Sequence, residues 1–280
     1  MPERLSSLEV PLPNSKLMLI DLDKTLIDAK YNFTDDSIFE EIVRVKLLGW
    51  QLGLSSDSPL ESLKNIRNYL GLNGPIIAER GSVVWLPNGK EFPMIEAEEF
   101  FNTTRRLLVN KLAEDRRSFY YGDATQFVAN RPILPNMLDN KIILIQAHRK
   151  CGLCLYGMSI DNNGSLVIDN ELTEQTIQLT KSLMPNPPFT LNEDFNKGYG
   201  IYILSPDNVN KRKGSLTLLQ NMNLSKIGMI GDSSSDILGN DIAFHYAVGN
   251  AKPELKTVAN YVSNMDYTSG VIDILKLIRQ

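Results

Sequence analysis

Two pairs of aspartates carry the chemistry that this sequence can do. Asp21 and Asp23 end the apolar run in "LMLIDLDKTLID", and Asp232 and Asp236 follow another in "GMIGDSSSDI". Burying an unpaired carboxylate is costly, so acids at the mouth of a buried strand need a compensating partner. Two residues apart in an extended segment, Asp21 and Asp23 are expected to point the same way, and a divalent cation would relieve their repulsion. A helix starting in the Ser233–Ser235 run would place Asp232 and Asp236 near one face of its first turn. Read singly, each aspartate is better explained as a turn or cap residue. Read together, two Asp-rich loops at strand ends converge where an open parallel sheet binds ligands. Asp21, Asp23, Asp232 and Asp236 then form a hard, all-oxygen site suited to Mg2+.

The elements that must position these residues follow from the pattern of apolar positions. Residues 17–21 read as a buried strand, 34–49 as an amphipathic helix, and "WQLGLSSDSP" as a second strand. "PLESLKNIRNYLGL" repeats the helix, opened by Pro59 and ended by Gly71. "PIIAERGSVVWLPNGKEF" reads as a strand and a hairpin turning at Asn88-Gly89. This alternation predicts a three-layer α/β core built on a parallel, Rossmann-like sheet. Residues 97–117 and 171–184 read as helices, separated by antiparallel strands that include a turn at Asn163-Gly164. The first pattern returns after about residue 207, with a helix expected between "KIGMIGD" and "HYAVGNA". Residues 1–90 and 207–280 therefore form a discontinuous core, interrupted by an α+β module over 91–206.

Composition narrows the function. The chain has 280 residues, a net charge of −4 and 42% hydrophobic residues, as expected of a globular protein with a full core. That charge gives no reason to expect nucleic acid as a partner, and no apolar run is long enough to expect a membrane span. Two cysteines make no disulfide framework, and a cytoplasmic location is expected. His148, Cys151 and Cys154 lack a fourth zinc ligand, and the two cysteines read as buried or turn residues of a strand in the inserted module; His245 reads as a core histidine. With only two histidines in the chain, acid–base chemistry falls to carboxylates.

At "DLDKTL" and "GDSSSD" the chain resembles the haloacid dehalogenase superfamily of phosphatases. "LSSDSP" and "KRKGSLTLL" resemble its second and third motifs. The tail "AVGNAKPELKTVANYVSNMDYTSGV" and the position of the insertion are similar to the Cof-like and sucrose-phosphatase-like branch, whose α+β cap follows the third core strand. The resemblance implies that Asp21 is a nucleophile forming an aspartyl phosphate and that Asp23 is the general acid and base. It implies phosphate binding by Ser55, with Ser56 as the register alternative, and by Lys213, with Lys211 as the fallback. Mg2+ would be held by Asp21, the Asp23 carbonyl, Asp232 and Asp236. The implied substrate is a small phosphomonoester, foremost a sugar phosphate. Phosphoglycolate phosphatase, phosphomutase and, in another class, a non-catalytic sugar-phosphate sensor are the alternatives. A monomer or a homodimer is expected. Five positions depart from the common pattern: Lys24, Ser56, Asp57, Arg80 and Ser235.

Overall fold

A computed structural model describes residues 10–123, 127 and 140–279. The chain opens with β1 (Leu17–Ile20), α1 (Ile38–Leu47), β2 (Gln51–Ser55), α2 (Leu60–Leu70), β3 (Ile76–Ala78), β4 (Val83–Trp85) and β5 (Glu91–Pro93). The middle contains α3 (Ile95–Glu114), β6 (Phe119–Gly122), β7 (Lys141–Gln146), β8 (Leu153–Ile160), β9 (Leu166–Ile168), α4 (Asn170–Leu183), β10 (Leu191–Asn196) and β11 (Ile201–Pro206). The last part contains α5 (Lys211–Met222), β12 (Ile227–Gly231), β13 (Ala243–Ala247), α6 (Pro253–Val258), β14 (Tyr261–Val262) and α7 (Tyr267–Leu275). Two compact units result, Met1–Phe92 with Val209–Gln280, and Pro93–Asn208.

The first unit is an eight-stranded sheet in the order β14-β13-β12-β1-β2-β3-β4-β5. β1 lies between β2 and β12, parallel to both. All residues of β1 and β12 are buried, which is why they read as unbroken apolar runs rather than alternating ones. The chain runs outward from β1 through β2 and β3, then returns to lay β12 on the other side. The carboxyl ends of β1, β2 and β12 thus meet at a topological switch point, where such sheets bind ligands. Pro59 is the N-cap of α2 and Gly71 its left-handed C-cap, as the sequence suggests.

Two departures in this unit concern the site. β1 ends at Ile20, and the amides of Thr25, Leu26 and Ile27 all donate to the Leu22 carbonyl. Residues 22–27 therefore form a tight turn, so strand alternation does not set the directions of Asp21 and Asp23. The helix expected after β12 is only a single 3-10 turn, Ser234–Asp236. Asp236 folds its carboxylate back onto the amides of Asp232 and Ser233 at 3.1 and 3.0 Å, and Ile237 then leaves helical conformation.

The second unit has a sheet in the order β10-β11-β8-β7-β6, with β9 paired to β8. α4 packs on β8, and α3 lies beside α4. The expected β8–β9 hairpin is present, with Gly164 at φ 76°. β6 and β10 were not expected: "FYYG" follows the helix directly, and "LNEDFN" is an edge strand with little burial. Arg105 of α3 is buried and donates to the Gly152 carbonyl at 2.7 Å. Cys151 and Cys154 are buried and unbridged, and among the described residues they belong to no cluster able to hold a metal. No helix of the described residues is long and apolar enough to cross a membrane.

Candidate active site

Asp21 follows the last residue of β1 and is held there by its amide, which donates to the Ile230 carbonyl of β12. Its carboxylate is buried and both oxygens have partners. Thr25 Oγ1 donates to one at 3.0 Å, and Lys211 Nζ donates to the other at 2.5 Å. The turn at 22–27 is what brings Thr25 back beneath Asp21. The same ammonium donates to Asp236 Oδ1 at 2.7 Å. Asp236 is wholly buried, since its second oxygen closes the turn after β12. Gly231 makes that closure possible, because a Cβ there would lie 2.3 Å from Asp236 Oδ2. Asp236 is thus both a cap and a site residue.

Carboxylate oxygens of Asp21, Asp232 and Asp236 lie within 4.8 Å of one another. Asp21 and Asp236 spend hydrogen bonds on Lys211, whereas the Asp232 carboxylate has no hydrogen-bond partner among the described residues. Three buried hard oxygen donors, one of them not engaged by any protein donor among the described residues, fit a small divalent cation. Asp23 adds no carboxylate to this group; its side chain is exposed at the mouth. Even so, the surrounding protein displaces enough water to push its carboxyl above the ordinary range, against the pull of Lys211.

Ser55 ends β2, one residue beyond the Ile20–Leu54 pairing and so level with Asp21. It is fully buried, and its Oγ has no hydrogen-bond partner. Ser56 Oγ, by contrast, accepts from the Ser58 amide at 3.1 Å. The geometry therefore separates the two serines, leaving the Ser55 hydroxyl free beside Asp21.

Of the two lysines, Lys211 and not Lys213 lies at the acidic cluster. Asn210 caps α5 by accepting from the Lys213 amide at 2.9 Å, and the Lys213 side chain is exposed. Lys211, one residue past the cap, points inward and is 4% exposed. Thr25 was missed altogether, although a hydroxyl four residues after Asp21 in "DLDKT" was the available signal. His245 is in the core, its Nε2 accepting from the Leu238 amide at 2.9 Å, with burial pushing it toward the neutral form.

Burial is the main reason the Asp21 carboxyl is pushed up to about 8, with Lys211 opposing and Asp236 and Asp232 reinforcing. The folded chain thus keeps a proton that the unfolded chain releases near the ordinary value of 3.8. This contribution to stability is complete below that value and is lost as pH rises through about 8. In EDTA, the melting temperature is expected to be lower at pH 8.5 than at pH 5.5, and Mg2+ should raise it more at the higher pH. Differential scanning calorimetry checks this; a melting temperature that is flat or rises with pH in EDTA would overturn it.

A mostly parallel sheet with acids at the carboxyl ends of its central strands, bridged by a buried lysine, makes this an α/β protein with an anionic cluster at its switch point. The chain belongs to the haloacid dehalogenase-like hydrolases, whose family pattern matches residues 18–275. It is similar to "Phosphoglycolate phosphatase 1" of Saccharolobus solfataricus, 26% identical over 91% of this chain and 92% of that one. "Phosphoglycolate phosphatase" of Metallosphaera sedula is also 26% identical, over 94% of this chain and 98% of the relative. A haloacid dehalogenase-like hydrolase of Bacteroides thetaiotaomicron shares the fold, with TM-score 0.63 and 18% identity over 94% of this chain and 99% of that one. The protein is thus an enzyme, a hydrolase of this superfamily.

Proposed function

We propose that the protein is a Mg2+-dependent phosphomonoester hydrolase working through an aspartyl phosphate on Asp21. The observation that carries this is the buried Lys211 ammonium bridging Asp21 and Asp236, with the Asp232 carboxylate beside them. Asp21, Asp232 and Asp236, with the Asp23 carbonyl, would hold the cation. When bound, Mg2+ would offset the repulsion between an anionic nucleophile and an anionic phosphoryl group. Thr25 and Lys211 fix the Asp21 carboxylate, so that it is aimed before substrate arrives. Asp21 attacks phosphorus, and the bond from phosphorus to the leaving oxygen breaks. Asp23, exposed at the mouth and raised toward its protonated form, gives that oxygen its proton. It then takes a proton from the water that attacks the aspartyl phosphate, restoring Asp21. The unpartnered Ser55 hydroxyl donates to a phosphoryl oxygen, and Lys211 neutralises charge there.

The names of the relatives favour 2-phosphoglycolate over a sugar phosphate as substrate. The inserted unit is proposed as the cap that selects it. The proposal includes a cytoplasmic location, for which two buried, unbridged cysteines speak.

The test is phosphate release from a panel of 2-phosphoglycolate, hexose phosphates and simple alkyl phosphates, with Mg2+ and with EDTA. Release that requires Mg2+ and is fastest on 2-phosphoglycolate is the expected result. Binding of a sugar phosphate without any release would instead favour the sensor reading. Transfer to a second hydroxyl of a hexose would favour a mutase.

A further inference from the structure

After β3, Glu79, Arg80 and Gly81 all have positive φ, at 51°, 62° and 105°. Left-handed backbone costs a non-glycine residue roughly 1–2 kcal/mol, so two in succession are held by their surroundings. The Glu79 amide donates to the Ser58 carbonyl at 3.1 Å, and the Arg80 amide to the Ser56 carbonyl at 3.4 Å. On the other side, Gly81 packs so closely on the start of α5 that a Cβ there would lie 2.1 Å from the Asn210 carbonyl oxygen. The turn is clamped between the loop that follows Ser55 and the helix start that carries Lys211.

The clamp fixes the backbone from which the Arg80 side chain projects. Arg80 Nε stands 3.7 Å from Asp57 Oδ2, with the two side chains 38% and 52% exposed. The contact is loose, and the terminal guanidinium nitrogens have no partner among the described residues. An exposed ion pair contributes about 0–1 kcal/mol, too little to account for two strained residues. Asp57 also belongs to the field of the site, since its charge raises both the Asp23 carboxyl and the Lys211 ammonium. A guanidinium fork with idle donors therefore stands beside the loop that directly follows Ser55, next to Asp57. Such a fork matches a carboxylate in bidentate geometry.

We propose that Arg80 is a specificity-determining residue, whose guanidinium takes the carboxylate of a small acid phosphate while the phosphoryl group lies at Asp21. Asp57 holds the guanidinium in place until that carboxylate arrives. The proposal rests on the phosphatase reading above and deepens it by assigning a residue to the carboxylate of the substrate.

The experiment compares 2-phosphoglycolate with ethyl phosphate, which has no second anion, in the full chain and in Arg80→Asn and Arg80→Lys. Asparagine tolerates the left-handed backbone, so the turn is kept while the charge is lost. The ratio of kcat/KM between the two esters should fall about 30-fold in Arg80→Asn, mostly through KM, the range expected for a lost charged hydrogen bond. Arg80→Lys should recover only part, because a point charge lacks the fork. Equal losses on both esters, or an unchanged ratio, overturn the proposal. Calorimetric binding of the two esters in an Asp21→Asn background measures the same ratio without turnover. A chain that hydrolyses no ester would sink the phosphatase reading, and this binding ratio would still decide the role of Arg80.

Discussion

Asp21→Asn is expected to abolish phosphate release, lowering kcat by about 10^4-fold or more, while making the metal-free protein more stable above neutral pH. The two effects have one origin. The amide keeps the shape of the side chain: its oxygen can still accept from Lys211, and its NH2 then faces the Thr25 hydroxyl, which can turn to accept. It removes the nucleophile, so no aspartyl phosphate forms. It also removes one of three clustered buried carboxylates, two of which, Asp21 and Asp236, share the Lys211 ammonium. Without a cation that cluster carries excess negative charge, and this repulsion with burial is what drives Asp21 upward. The variant should therefore melt higher than the native chain in EDTA at pH 8.5 and respond less to added Mg2+. Phosphate release and calorimetry on the same preparations check both halves. An inactive variant that melts lower in EDTA would mean the carboxylates are not in conflict, and a variant that keeps activity would remove Asp21 from the nucleophile role.

The parts of this site that could be read in the sequence are those that the backbone alone positions. Asp21 and Asp232 each follow an unbroken apolar run, because β1 and β12 are buried on both faces, so the first polar residue marks the strand end. Ser55 is marked in the same way at the end of β2. The directions of Asp21 and Asp23 could not be read, because residues 22–27 curl into a turn whose hydrogen bonds converge on the Leu22 carbonyl. Thr25 depends on that same turn. β6 and β10 escaped notice because edge strands need little burial, and "LNEDFN" has no apolar stripe to announce itself. In the second unit, the buried Arg105 satisfies its charge on backbone carbonyls, a solution that composition cannot signal. The lysine is the instructive case. In "NKRKG" three basic residues follow Asn210, and only the phase of the helix decides which one turns inward.

That phase makes the second large prediction a comparison of neighbours. Asn210 caps α5, so Lys211 opens the helix and Lys213, two residues on, is turned by about 200° at 3.6 residues per turn. Lys211→Met is expected to lower kcat about 10^3-fold, the scale seen when one charge-stabilising donor is lost. It should also destabilise the chain by about 3–5 kcal/mol, the usual result of removing one partner from a buried ion pair. Asp21 and Asp236 would then face each other without the ammonium that now lies 2.5 and 2.7 Å from them. Their repulsion would be relieved only by protonation or by a cation, so Mg2+ should recover much of the lost stability and little of the activity. Lys213→Met alters an exposed side chain and keeps the amide that Asn210 caps, so activity and melting temperature should stay near native values. Urea unfolding and phosphate release on the two variants, with Mg2+ and with EDTA, separate them. If Lys213→Met lost activity while Lys211→Met kept it, the helix would have to be rotated and the buried bridge abandoned. If both variants were active, neither lysine would serve the phosphoryl group, and charge at the site would have to come from elsewhere in the chain.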